Sequence, residues 1–402
     1  DISEKAGIAG DNRWYTGVSI VDINQDDYLD IYVSVSGTGN QNNNQLFINN
    51  GDLTFTEAAN EYGIDDPSNS IQSTFFDYEN DGDLDLFVAN YPNIPLSQGN
   101  QFYHQKMIEN DLGNSGHLYR NNGNGNFEDV TEKAKLKRFG LTLGIVSSDI
   151  NNDGYVDLYL SNDFNVPDYF FINNGDGTFR EVVDEATGHT SMFGMGIDTS
   201  DINNDGLKDL IQAEMLPKDY KRARINMASM NPKSFQEGVD LGFHYQYMQN
   251  SLQLNMGIYE NNNPVMSEIS RYAGVHATDW SWSTMFLDMN NDGKEDLFVT
   301  NGMKRDVNDN DINNKTTATT FRETYNLQIS DYPSVPINNF AFLNTGNSKF
   351  KDITNKSGFD NPNFSQGMSY GDLDNDGDLD IVINNLDGVA DVYRNELNDS
   401  GF

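Results

Sequence analysis

Aspartate recurs in this chain with a spacing that suits the capture of a hard cation. One nine-residue pattern occurs six times: DINQDDYLD from Asp22, DYENDGDLD from Asp77, DINNDGYVD from Asp149, DINNDGLKD from Asp201, DMNNDGKED from Asp288 and DLDNDGDLD from Asp372. Positions 1, 3, 5 and 9 carry side-chain oxygens in every copy. These are Asp22, Asn24, Asp26 and Asp30; Asp77, Glu79, Asp81 and Asp85; Asp149, Asn151, Asp153 and Asp157. The later copies supply Asp201, Asn203, Asp205 and Asp209; Asp288, Asn290, Asp292 and Asp296; Asp372, Asp374, Asp376 and Asp380. The backbone carbonyl of position 7 (Tyr28, Asp83, Tyr155, Leu207, Lys294, Asp378) is a further donor. Calcium takes roughly six to eight oxygen ligands, so the pattern predicts about six structural Ca²⁺ ions, one per loop. Position 6 is Gly in five copies, which permits a sharp left-handed turn. The first copy has Asp27 there, so the occupancy of that loop is left open.

EF-hand loops open in the same way, but they require a bidentate Glu at position 12 and a following helix. Here position 12 is Val33, Val88, Leu160, Gln212, Val299 or Ile383. The residues after each loop are β-branched, aromatic or aliphatic, which reads as strand. The loops are therefore the turns of β-hairpins. Five positions before the first Asp stands Gly17, Gly144, Gly196, Ser283 or Gly367, where close strand packing favours a small residue; Gln72 is the exception. A second hairpin precedes most loops: LFINNGDLTFTEAANEYGI from Leu46, LYRNNGNGNFEDVTEKAKL from Leu118, FFINNGDGTFREVVDEATG from Phe170 and FLNTGNSKFKDITNKSGF from Phe342. A worn copy, from Ile258, reads as having lost its Gly.

Two hairpins make a four-stranded unit, the blade of a propeller. The expected fold is all-β: a closed propeller of six blades by repeat count, with seven if residues 212–252 hide a degenerate blade. Residues 1–8 read as the second half of the hairpin whose first half is residues 391–398, so the two ends are expected to share a blade and remove exposed sheet edges. The whole chain, residues 1–402, then forms one domain. Loops begin 55, 72, 52, 87 and 84 residues apart, and the longer intervals place insertions at 91–116, 212–252 and 302–338. They share one topological position, so a cap on one face is expected, with 212–252 helical.

The residues of the calcium-type loops resemble FG-GAP/VCBS repeat propellers, related to the integrin α-chain head. The stretch from Ser251 to Gly302 is similar, more narrowly, to the propeller part of bacterial surface proteins that carry an ASPIC/UnbV-type domain downstream. The resemblance implies an extracellular binding or adhesion scaffold with structural calcium, without naming a ligand.

Composition agrees with this class. The formal charge of -37 makes nucleic acid and anionic membranes poor partners for the chain as a whole. Cysteine is absent, which excludes disulfides and thiolate chemistry. No apolar run is long enough for a membrane span, and the opening at Asp1 reads as a mature or trimmed form of an exported protein, with a bacterial outer surface as the expected location.

The insertions hold the candidate ligand residues: Tyr103 and His104; Arg222, Arg224, His244, Tyr245 and Tyr247; Lys304 and Arg305. Such a surface could seat a glycan or a protein partner; equally, its aromatics could form the insertions' own core. Trp280 and Trp282, two apart on a strand, read as core. The preferred function is a calcium-stabilised binding or adhesion propeller rather than an enzyme. One alternative is a calcium-dependent polysaccharide lyase or hydrolase, with His244, Tyr245, Tyr247, Arg222 and Arg224 as its group. Another is a structural subunit of a surface complex.

Overall fold

The computed structural model describes residues 2–37, 42–95, 98–123, 125–226, 231–317 and 328–397. The strands form where the sequence alternates β-branched and aromatic residues, and six successive sheets result, each an antiparallel meander. The fold is all-β, a six-bladed propeller.

The chain packs as two compact units. The first comprises residues 1–186, 241–243 and 258–263. Its sheets are Trp14–Val21, Asp30–Ser36, Gln45–Asn49 and Phe55–Glu57; Ser70–Phe76, Asp85–Asn90, His117–Asn121 and Phe127–Asp129; and Thr142–Ser148, Asp157–Asn162, Tyr169–Asn173 and Phe179–Glu181. The second comprises residues 187–240, 244–257 and 264–402. It holds Ile197–Ser200, Asp209–Gln212, Ser251–Ile258 and Pro264–Glu268; Ser281–Leu287, Asp296–Asn301, Phe340–Asn344 and Phe350–Asp352; and the three strands Ser365–Gly371, Asp380–Asn385 and Asp391–Tyr393. Residues 212–252 carry the helices Tyr220–Asn226 and Pro232–Asp240, and the described residues there form no seventh blade.

Apolar residues of adjacent sheets interlock to form the core. Phe76, Phe87, Leu118, Leu158, Leu160 and Phe171 share one layer, and Phe286, Leu297, Val299, Phe342 and Phe350 share another. Burying each such side chain contributes about 1.5–3 kcal/mol. Close approach explains the small residue upstream of two of the loops. A Cβ on Gly17 would lie 2.5 Å from the Ile71 carbonyl oxygen, and one on Gly196 the same distance from that of Trp282. In the blade where Gln72 replaces Gly, its Oε1 accepts the Ile145 N–H at 3.1 Å, so a polar side chain makes the link instead.

Two details differ from the sequence reading. The stretch read as the outer hairpin strand is strand only over three residues, and a helical turn follows: Ala59–Tyr62 ends at Gly63, with φ of 75°, and Ser3–Ala6 ends likewise at Gly7, with φ of 80°. The worn hairpin begins earlier than expected and keeps its glycine, because Asn255 and Gly257 stand in the register of Asn49 and Gly51. Five extra residues between Asn255 and Glu268, relative to Asn49 and Glu57, obscured the match.

Candidate metal centres

The third loop shows how the repeated residues fold on themselves. Asp149 accepts the Asp153 N–H at 3.0 Å through one carboxylate oxygen and the Gly154 N–H at 2.8 Å through the other. Asp153 accepts the Tyr155 N–H at 3.0 Å. Asp157 at position 9 accepts from Ile150 at 3.0 Å and from Asn173 at 2.9 Å. Bonds from position 1 to positions 5 and 6 recur in all six loops. They require left-handed backbone twice. Position 6 is left-handed throughout, including Asp27 with φ of 69°. Position 4 is left-handed as well, from 54° at Asn291 to 61° at Asn375, which accounts for Asn in five copies and leaves Gln25 as the strained exception.

Position 9 joins each loop to its blade, through an asparagine that the sequence reading treated only as part of a turn. Asn49, Asn121, Asn173, Asn255, Asn344 and Asn395 donate their backbone N–H to Asp30, Asp85, Asp157, Asp209, Asp296 and Asp380, at 2.7–2.9 Å. The same asparagine recurs two residues before the hairpin glycine in five copies, and that was the signal available in the sequence. Three of them also reach the preceding loop: Asn173 Nδ2 donates to the Tyr78 carbonyl, Asn344 to Ile202 and Asn395 to Met289. Burial pushes Asp85, Asp157 and Asp209 up to about 7 and Asp296 up to about 6, against the weaker downward pull of these N–H bonds.

These loops fit a hard cation by donor chemistry. The side chains that converge offer oxygen, and each position 9 oxygen that accepts one N–H keeps a second lone pair. The ligating oxygens of Asp372, Asp374 and Asp376 all lie within 4.8 Å of one another. Arg394 bonds to Asp374 at 2.7 Å, and Lys294 to Asp292 at 2.9 Å. In the second loop burial, then the charge of Asp81, lifts Asp83 to about 6. Asn262, outside the nine-residue pattern, donates to Asp153 at 2.8 Å and so lies against the third loop.

The candidate ligand residues separate into three groups. Tyr103 is fully buried beside Phe139, Leu141, Val166 and Phe243, and His104 lies 6.2 Å from the Phe243 ring. Tyr103 is therefore core of the helix Asn100–Glu109 and unavailable to a ligand, which corrects the sequence expectation: the helix could bury its aromatic face only once Phe243 was in place. Arg222 is an anchor, bonded to Asp279 at 2.7 Å and to both oxygens of Asp306 at 2.9 and 2.7 Å. Arg305 donates to the Tyr332 carbonyl, and Lys304 pairs with Asp387 at 3.1 Å. Arg224 is exposed over the Tyr220 ring. Tyr325, also in the third insertion, lies outside the described residues.

Tyr245 and Tyr247 come together at the surface with two residues the sequence reading did not single out. Phe235 stacks on Tyr245 at 6.1 Å and lies 5.7 Å from Tyr247, whose other side meets His189 edge-on at 4.7 Å. His244 sits beside them, 3.0 Å from the Thr187 hydroxyl. Trp280 and Trp282 are half-buried rather than core, and Trp282 donates to the Gly302 carbonyl at 2.8 Å. An open groove of about 470 Å³ runs past Lys218, Arg222, Asp279 and Phe340.

The FG-GAP-like repeat family matches residues 34–88, 107–160 and 149–211. Over 205 residues the chain is 27% identical to Cartilage acidic protein 1 of Xenopus tropicalis, an alignment covering 48% of this chain and 30% of that protein. Among solved structures it is similar to an Agrocybe aegerita lectin that recognises non-reducing terminal N-acetylglucosamine, with a TM-score of 0.47 and 16% identity over 98% of this chain and 83% of the lectin. It is also similar to a Bacillus licheniformis rhamnogalacturonan lyase, with a TM-score of 0.37 and 8% identity over 94% of this chain and 57% of the lyase. No helix among the described residues is long and apolar enough to cross a membrane. FG-GAP-like repeats thus match three stretches of the chain, and a six-bladed β-propeller carries them.

Proposed function

We propose that this chain is a calcium-stabilised binding propeller, acting outside the cell or at its surface, which recognises a glycan or protein partner through exposed residues of its insertions, Tyr245 and Tyr247 among them. The observation that carries this reading is the repetition of one loop geometry six times, with oxygen donors at positions 1, 3, 5, 7 and 9. Within each loop carboxylates crowd together, and a divalent cation removes their mutual repulsion. Extracellular modules bind calcium at about 10⁻⁴–10⁻³ M, and these loops are expected in that range.

Binding is favoured over catalysis by what surrounds the cations of the cap. A lyase would need a base and a free guanidinium for the uronate carboxylate. Arg222 is already held by two aspartates and His244 by Thr187, which leaves Arg224, exposed over the Tyr220 ring, without either of them as a partner in catalysis. The exposed Tyr245 and Tyr247 rings offer a flat apolar platform with polar edges, which suits stacking against a sugar or peptide.

Elemental analysis and thermal unfolding on one sample, with calcium and after chelation, test the reading. About six ions per chain are expected, each adding about 2.7 kcal/mol at a free calcium concentration 100-fold above its Kd. A chain with no bound calcium and an unchanged melting temperature would overturn it. Loss of partner capture on a glycan or surface-protein array in a Tyr245→Ala, Tyr247→Ala variant is the matching result for the cap.

A further inference from the structure

Successive loops are tied to one another by the side chain at position 4, a residue with no place in the donor set. Gln25 Nε2 donates to the Gly82 carbonyl at 3.0 Å, joining the first loop to the second. Asn80 Nδ2 donates to the Gly154 carbonyl at 2.9 Å, joining the second to the third. Asn204 Nδ2 donates to the Gly293 carbonyl at 2.8 Å, joining the fourth to the fifth. The acceptor is position 6 each time. Among the described residues Asn291, at position 4 of the fifth loop, makes no such bond.

We infer that these side chains couple calcium binding between neighbouring loops, so that an ion in one loop tightens the next. The inference rests on the calcium reading above. Position 4 lies between donor positions 3 and 5, so a bound ion immobilises the left-handed residue from which the side chain projects. That side chain grips the carbonyl of the peptide linking positions 6 and 7 in the neighbouring loop. The N–H of the same peptide donates to the position 5 carboxylate: Asp83 to Asp81 at 3.2 Å, Tyr155 to Asp153 at 3.0 Å and Lys294 to Asp292 at 3.0 Å. Fixing this peptide orders two donors of the neighbour at once, the position 5 carboxylate and the carbonyl of position 7. Ordering already done for the first ion is not repeated for the second, and the coupling is reciprocal. One hydrogen bond of ordinary net strength corresponds to roughly a fivefold change in affinity per linked pair.

The position 4 side chains are exposed, and glycine adopts their left-handed backbone without strain, so the test variants fold. Calcium chloride is titrated by calorimetry into the full, chelator-stripped chain and into Asn80→Gly, Asn80→Gln and Asn291→Gly variants. Asn80→Gly is expected to bind the same number of ions with the linked phase weakened about fivefold. Asn80→Gln restores the isotherm, since Gln25 makes the same bond in the first loop, and Asn291→Gly matches the unaltered chain. Identical isotherms for Asn80→Gly, Asn291→Gly and the unaltered chain would overturn the coupling while leaving calcium binding intact. An unaltered chain that takes up no calcium would overturn the calcium reading itself.

Discussion

Asp157 accepts the backbone N–H of Asn173 at 2.9 Å, and this bond fastens the third loop to the third strand of its own blade. The second oxygen takes the Ile150 N–H, so one buried carboxylate satisfies two backbone donors. Asp157→Ala leaves both unsatisfied and is expected to destabilise the calcium-free protein by roughly 2–4 kcal/mol. Asp157→Asn, which keeps one acceptor, should cost less than half of that. Urea denaturation with chelator present measures both.

Asp27 holds a φ of 69° where five other loops have glycine. Replacing it removes a backbone cost of about 1 kcal/mol without disturbing the N–H bonds to Asp22. Asp27→Gly is therefore expected to raise the melting temperature and to tighten calcium at the first loop. Calcium titration followed by thermal unfolding checks this, and an unchanged melting temperature would show that Asp27 is unstrained.

Arg222 ties the helix Tyr220–Asn226 to Asp279 and Asp306, both nearly buried. Arg222→Ala strands two buried carboxylates and should cost about 3–5 kcal/mol. Arg222→Lys, a point charge in place of a planar fork, should recover only part of it. Thermal unfolding reads the loss, and hydrogen exchange should localise it to residues 302–313.

His117 and Asp66 form a buried pair 2.7 Å apart at the end of the first insertion. Burial works against both charges, yet their mutual hydrogen bond and attraction prevail. Asp66 is held at about 2, and His117 is raised above its usual 6.5. The raised imidazole contributes stability in full below pH 6.5, and that contribution is lost as pH climbs through its folded value. The depressed carboxylate contributes above pH 3.8 and loses its share as pH falls toward about 2. Stability plotted against pH should fall as pH rises above 6.5, and His117→Gln should flatten that limb. A limb unchanged in His117→Gln would rule the pair out as its source.

Several features were legible because they are local. Each nine-residue loop closes on itself through Asx-type bonds, so its residue types and spacing suffice to recognise it. The strands after each loop follow from runs such as Asp30-Ile-Tyr-Val, and six loops imply six blades. Where local signals were diluted, the reading slipped. The fourth blade's hairpin was misplaced because it is longer than the others between Asn255 and Glu268.

Composition and spacing by themselves determined the all-β repeat, the number of blades and the oxygen-rich character of the loops, since these depend on residues within a few positions of one another. Only the tertiary structure decided which groups meet across long stretches of chain. Asn80 reaches Gly154, Arg222 reaches Asp306 and Tyr103 is buried beside Phe243, and no periodicity encodes such meetings. They depend on where the backbone returns after each blade. The same aromatic or basic residue type is therefore core in one insertion, an ion-pair anchor in another and an exposed platform at Tyr245 and Tyr247.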